Sequence, residues 1–88
     1  MGRVPLPKHS RPRRARIVLG PVAEQQTETF SIAEAVAVER ALAALAIAPG
    51  LGDVRPDGLC DYQDDGGARV LYFVTVLHMI VIVAYLEA

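Results

Sequence analysis

The residues whose types could do chemistry gather in the last third of this 88-residue chain. Arg69 could hold a phosphate. Histidine as a residue type titrates near neutrality, so His78 could take or give a proton. Tyr62, Tyr72 and Tyr85 could supply hydroxyl groups. An acid, a base and a cation are what attack of a hydroxyl on a phosphodiester needs when no metal takes part. Each has a plainer reading beside it. Strand tyrosines pack, a single histidine at a strand turn is idle or structural, and Arg69 has Asp64 and Asp65 close by to pair with. Asp61, Asp64 and Asp65 could hold a divalent ion, but three carboxylates around a turn also read as a solvated hairpin tip. No glycine-rich phosphate loop, nucleophile elbow or Cys/His metal spacing occurs. The sequence therefore implies no metal and no cofactor.

These residues lie in or beside Arg69–Leu86, RVLYFVTVLHMIVIVAYL, which is apolar after Arg69 except for Thr75 and His78. Its β-branched and aromatic residues pack well on a pleated sheet and lose rotamer freedom in a helix. Asp64-Asp65-Gly66-Gly67 just before it is hairpin-turn chemistry, because glycine accepts positive φ. Upstream, Leu59–Gln63 is another short strand candidate. The segment thus reads as a meander of three strands, with its second turn near Val76–His78. A competing reading is one membrane-spanning helix. Val70–Leu86 sits at the lower limit for crossing a hydrocarbon core of ~30 Å at about 1.5 Å per residue. Against it, His78 would sit in mid-bilayer and only Arg69 offers an adjacent positive anchor.

The rest of the chain supplies what would position this segment. Residues 1–15 hold Pro5, Pro7 and Pro12 and are rich in arginine; they read as an unstructured basic arm, solvated or in contact with nucleic-acid phosphates. Residues 1–20 carry six cations and no acid, whereas residues 21–88 carry three arginines against ten acids. Arg13-Arg14 is not a secretion signal, since the apolar stretch Ile17–Ala23 is short and broken by Gly20-Pro21. Arg16–Leu19 is a strand candidate, and Val22–Phe30 a helix of about two turns introduced by Pro21. Ser31-Ile32-Ala33-Glu34 is a capping box that opens a second helix running to about Ala48, where Pro49-Gly50 stops it. Leu51–Gly58 reads as a loop. The single Cys60 precludes an internal disulfide and fits a reducing cytoplasm. The expected fold is α+β, in the order β-α-α-β-β-β. Two helices cover one face of a mostly antiparallel four-stranded sheet, in one domain over 16–88. So short a chain has little margin of stability, which self-association would raise.

This pattern resembles the RelE/ParE superfamily, the toxins of bacterial type II toxin–antitoxin pairs. The resemblance covers Arg16–Leu86. It rests on the strand and the helix opening PVAEQQ, the helix exit LAALAIAPG, the Gly-rich loop, and GARVLYFV followed by MIVIVAYL. It implies a growth-inhibiting toxin that a cognate antitoxin wraps and neutralises. It also implies one of two targets: DNA gyrase, inhibited by contact, or mRNA in the ribosome, cut by an mRNA interferase without a metal. In the nuclease case the catalytic residues would be Arg69, which alone matches a nuclease position of the family, with His78 and Tyr85 put forward on their chemistry. The chain departs from the nuclease pattern on the strand Leu59-Cys60-Asp61-Tyr62-Gln63, which lacks basic residues. It also lacks a basic, tyrosine-bearing segment after the last strand, and residues 21–88 are acidic. Three functions are thus in play: a toxin that acts by contact, or a catalytically weak member that mainly binds its antitoxin; a nuclease; and a tail-anchored membrane protein.

Overall fold

In the computed structural model, residues 14–75, 77 and 80–88 are described. The arm expected over 1–15 therefore falls outside them, save Arg14 and Ala15, and His78 falls outside them too.

The chain opens with strand β1 at Arg16–Leu19, then helix α1 at Pro21–Thr27 with proline in its first turn. Helix α2 follows at Ile32–Ile47. The capping box forms as its residue types require. The Ser31 hydroxyl accepts the Glu34 amide at 3.1 Å, and the Glu34 carboxylate accepts the Ser31 amide at 2.8 Å. A 3-10 turn at Pro49–Leu51 ends the helical half. Four strands complete the chain: β2 at Asp53–Val54, β3 at Cys60–Gln63, β4 at Arg69–Val74 and β5 at Ile80–Glu87.

The sheet order is β1-β5-β4-β3-β2. β1 runs parallel to β5, and the other neighbours are antiparallel. The apolar C-terminal segment is thus a hairpin of strands, and among the described residues no helix is long and apolar enough to cross a membrane. The expected α+β class holds. The sheet has five strands where four were expected, because Asp53–Val54, read as loop, adds to the edge of β3. α1 ends at Thr27, short of the expected Phe30.

Two turns shape the meander. In the first, the Asp64 carboxylate accepts the Gly66 amide at 2.9 Å, and Gly67 takes φ +98°. A side chain at Gly67 would be strained there, as the turn chemistry anticipates. The β4–β5 connection lacks glycine, and the exposed Leu77 takes φ +72°. It is closed by Thr75, whose amide donates to the Ile80 carbonyl at 2.9 Å and whose hydroxyl accepts the Ile80 amide at 3.2 Å.

One face of the sheet carries the core. Val70, Tyr72, Val81, Val83 and Leu86 are buried against Val38, Ala41 and Leu45 of α2 and Ala23 of α1. Strict alternation along β5 would send Tyr85 inward with Val81 and Val83. Instead a bulge opposite Leu71/Tyr72 lets β5 contribute the extra residue Ala84. The parity flips, so Leu86 is buried and Tyr85 faces away from the helices. Beyond the reach of β1, the Gln26 side chain takes over the ladder, accepting the Leu86 amide at 2.8 Å.

Candidate functional site

The helix-free face of the sheet holds the chemistry-bearing residues. Hairpin register sets Arg69 opposite Gln63 on one side and Glu87 on the other. Asp61 lies two residues from Gln63 and so shares the face of Arg69 on a diagonal. The Arg69 guanidinium grips Asp61 with both prongs. Its Nε donates to Oδ1 at 3.0 Å and its Nη2 to Oδ2 at 2.7 Å. Its Nη1 stands 3.8 Å from Glu87 Oε1. Asp64 and Asp65, the partners expected from sequence, do not take it; the Asp64 carboxylate is turned onto its own loop amide.

The electrostatics follow from this fork. The Arg69 hydrogen bonds hold the Asp61 carboxyl below its ordinary pKa, with the charge of Arg55 adding to the effect. Asp61 in turn keeps the Arg69 guanidinium more firmly protonated. Directly opposite Asp61 on β2 sits Asp53, a like-charge cross-strand pair. Such a pair is unfavourable unless cations stand near, and the Arg69 fork together with the nearby Arg55 offsets it. Arg55 itself bonds Asp57 at 3.0 Å. An open groove of about 450 Å³ runs along this edge, lined by Leu51, Asp53, Arg55, Asp61, Tyr62 and Gln63.

The three tyrosines separate. Tyr72 is fully buried, as a packing residue should be. Its hydroxyl donates to the Pro49 carbonyl at 2.7 Å and accepts the Gly52 amide at 2.9 Å, and burial raises its pKa. Tyr62 is half-buried, its pKa raised first by burial and then by the charge of Asp64. Tyr85 is 37% exposed, and its hydroxyl lies 3.4 Å from Glu87 Oε2. Glu87 thus links two of the three catalytic candidates, Arg69 and Tyr85. The third, His78, lies outside the described residues. The first described residue after it, Ile80, begins β5, roughly 16 Å along the strand from Tyr85.

Asp61 and Glu87 are the residues that sequence reasoning missed as neighbours of Arg69. A readable signal existed for one of them. A turn at 64–67 sets Gln63 beside Arg69, and period-2 alternation then brings Asp61 onto the same face. Glu87 depends on the bulge and could not be read in that way.

Beyond the ionic end, the same face is apolar. Phe73 is 41% exposed, Val18 and Tyr85 are exposed, and Leu71, Ile80 and Ile82 are half-buried. Two helices thus lie on one side of a mixed five-stranded sheet, and among the described residues no helix covers the other side. The chain superposes on a chain of the toxin–antitoxin complex RelBE2 from Mycobacterium tuberculosis with a TM-score of 0.72 and 20% sequence identity. The match covers 84% of this chain and 96% of that one. The resemblance read from the sequence therefore holds at the level of the fold. Neither a family model nor a curated protein matches the sequence.

Proposed function

We propose that this protein is the toxin of a type II toxin–antitoxin pair, and that it arrests growth by contact with a macromolecular target instead of cutting RNA. The observation that carries this reading is the Arg69–Asp61 fork. A scissile phosphate would have to displace a bidentate carboxylate from Arg69 and then sit among Asp53, Asp61 and Glu87. An end of the sheet that is rich in carboxylates suits basic groups on a partner protein such as gyrase. The bare apolar face, with Val18, Phe73 and Tyr85 exposed, is where a cognate antitoxin would lie.

The nuclease alternative draws on a different observation. Glu87 stands between the Arg69 guanidinium and the Tyr85 hydroxyl, so a base, a cation and a hydroxyl do converge. In that reading His78 would complete the set, and the ribosome would supply the mRNA.

Expression in a bacterial host with transcript-end mapping separates the two. The contact reading expects growth arrest with uncut transcripts, and arrest that survives Arg69→Ala. Codon-linked cuts that vanish in Arg69→Ala and Tyr85→Phe would overturn it in favour of the nuclease. Co-expression of a small adjacent open reading frame that restores growth would identify the antitoxin.

A further inference from the structure

The helix-free face carries an order of charge as well as an apolar middle, and strand register fixes it row by row. One row across the sheet holds Asp53, Asp61, Leu71 and Tyr85. The next holds Phe73, Ile82 and Val18, and the one beyond it Ile80 and Arg16. They share this face because their strand neighbours Ile17, Leu19, Cys60, Tyr62, Tyr72 and Val81 pack on the helix side. The middle of the face is therefore apolar, and Phe73, Val18 and Tyr85 in it are exposed. Opposite corners differ in charge. Beside Asp53, the Asp57 and Asp61 carboxylates are each held by an arginine, and Asp53 is left over. Across the sheet, at the start of β1, Arg14 and Arg16 are exposed. Among the described residues neither these arginines nor Asp53 has an ion-pair partner.

The distance between these charges says what fits. Asp53 and Arg16 lie four strand spacings and two rows apart, about 23 Å at ~4.8 Å per strand and ~3.3 Å per residue. A straight helix of about fifteen residues spans that diagonal. An extended segment laid across the same side chains would leave its amides and carbonyls unpaired on apolar surface, whereas a helix satisfies its own. A second copy of this chain fits less well. The face measures roughly 19 Å by 20 Å, so two copies would bury about 800 Å², short of the ~1,000 Å² that a stable interface clears. A helix that is one part of a longer, wrapping partner is not held to that limit.

We infer that this face takes one amphipathic helix of a partner chain, laid diagonally with its apolar side down, a cationic end at Asp53 and an acidic end at Arg16. The inference rests on the reading of the helix-free face as the docking surface for an antitoxin, and adds to it the order of charge that the partner must carry. The Asp53 corner selects lysine or arginine, and the Arg14 and Arg16 corner selects aspartate or glutamate. A partner of one sign throughout meets repulsion at one corner.

Anisotropy titrations of the full-length chain at low ionic strength test it, with three fluorescent synthetic helices of about sixteen residues that share one leucine stripe. One carries lysines at one end and glutamates at the other, the second lysines at both ends, the third glutamates at both. The unaltered chain is expected to hold the two-signed helix about fivefold or more tighter than either of the others. Arg16→Glu should shift the preference to the all-lysine helix, and Asp53→Lys to the all-glutamate helix. Phe73→Asp should weaken all three, and the charge swaps, at exposed positions, remain readable even if that variant were to perturb folding. Equal affinity for the three helices, or preferences that ignore the swaps, overturns the inference; if Phe73→Asp still weakens binding, the face survives as a docking surface and only its charge order falls. Binding that Phe73→Asp leaves untouched overturns both the inference and the docking surface beneath it. Sedimentation that shows a dimer dissolved by Phe73→Asp gives the face to a second copy, and overturns the inference too.

Discussion

Arg69 shows how one side chain decides between chemistries. A guanidinium on an open strand face is a natural phosphate ligand, but here two acids reach it first. The neighbour with the stronger claim is Asp61, and its pKa is depressed. A carboxyl depressed in the folded state adds stability above its unfolded value, near 3.8, and loses it as pH falls through the folded value. Asp61→Asn is therefore expected to lower the melting temperature by a few degrees at neutral pH. The gap from the unaltered protein should narrow as pH drops below about 3.8 and close only below the depressed folded value, where Asp61 is protonated in both states. A gap of constant size from pH 7 to pH 3 would show that the fork adds no charge-dependent stability. The residue types at this site were legible in the sequence, and their partners only partly so. Asp64 and Asp65 are nearer to Arg69 in sequence, but a turn aspartate bonds its own loop amides first. Tyr85 reads as a packing residue by alternation and escapes burial through the bulge at Ala84, which no local pattern announces.

At the scale of elements, what could be read had a local cause. The capping box, the proline start of α1 and the Asp-Gly turn are short-range chemistry, and each formed. What could not be read is held by distant contacts. β2 is only two residues long, too short for any periodicity, and it exists because the chain before it is tied down. The tie is Tyr72, which reaches from the middle of β4 to both sides of the turn after α2. Gly52 is part of the same fit, since a Cβ there would meet the Tyr72 hydroxyl at 2.7 Å. Tyr72→Phe keeps the packing but strips both Pro49 and Gly52 of their partner. It should cost about 1–3 kcal/mol in denaturant unfolding. The Val54–Cys60 end of the sheet should lose hydrogen-exchange protection before the centre does. Unchanged stability with unchanged exchange at β2 would mean that water replaces the hydroxyl at no cost.

For the whole molecule, the α+β class was legible because a run of β-branched residues after an Asp-Gly turn has few other ways to fold. The parallel β1–β5 pairing was not, because it joins the two ends of the domain. Arg16 meets Ile80 across roughly sixty residues, a long closure that local pattern does not encode. β5 also lies between β1 and β4, so it completes both halves of the sheet at once. A chain cut before Ile80 is expected to show no cooperative melting transition and to be digested rapidly by protease. A protected fragment from such a chain would mean that the helices and the β3–β4 hairpin stand alone.

β5 is therefore the keystone of the domain. Until residues 80–87 have taken their place between β1 and β4, the chain has neither a finished core nor a whole sheet face. If the molecule is a toxin, its fold and its potency arrive together, and an antidote that grips the sheet can only meet it as a finished object.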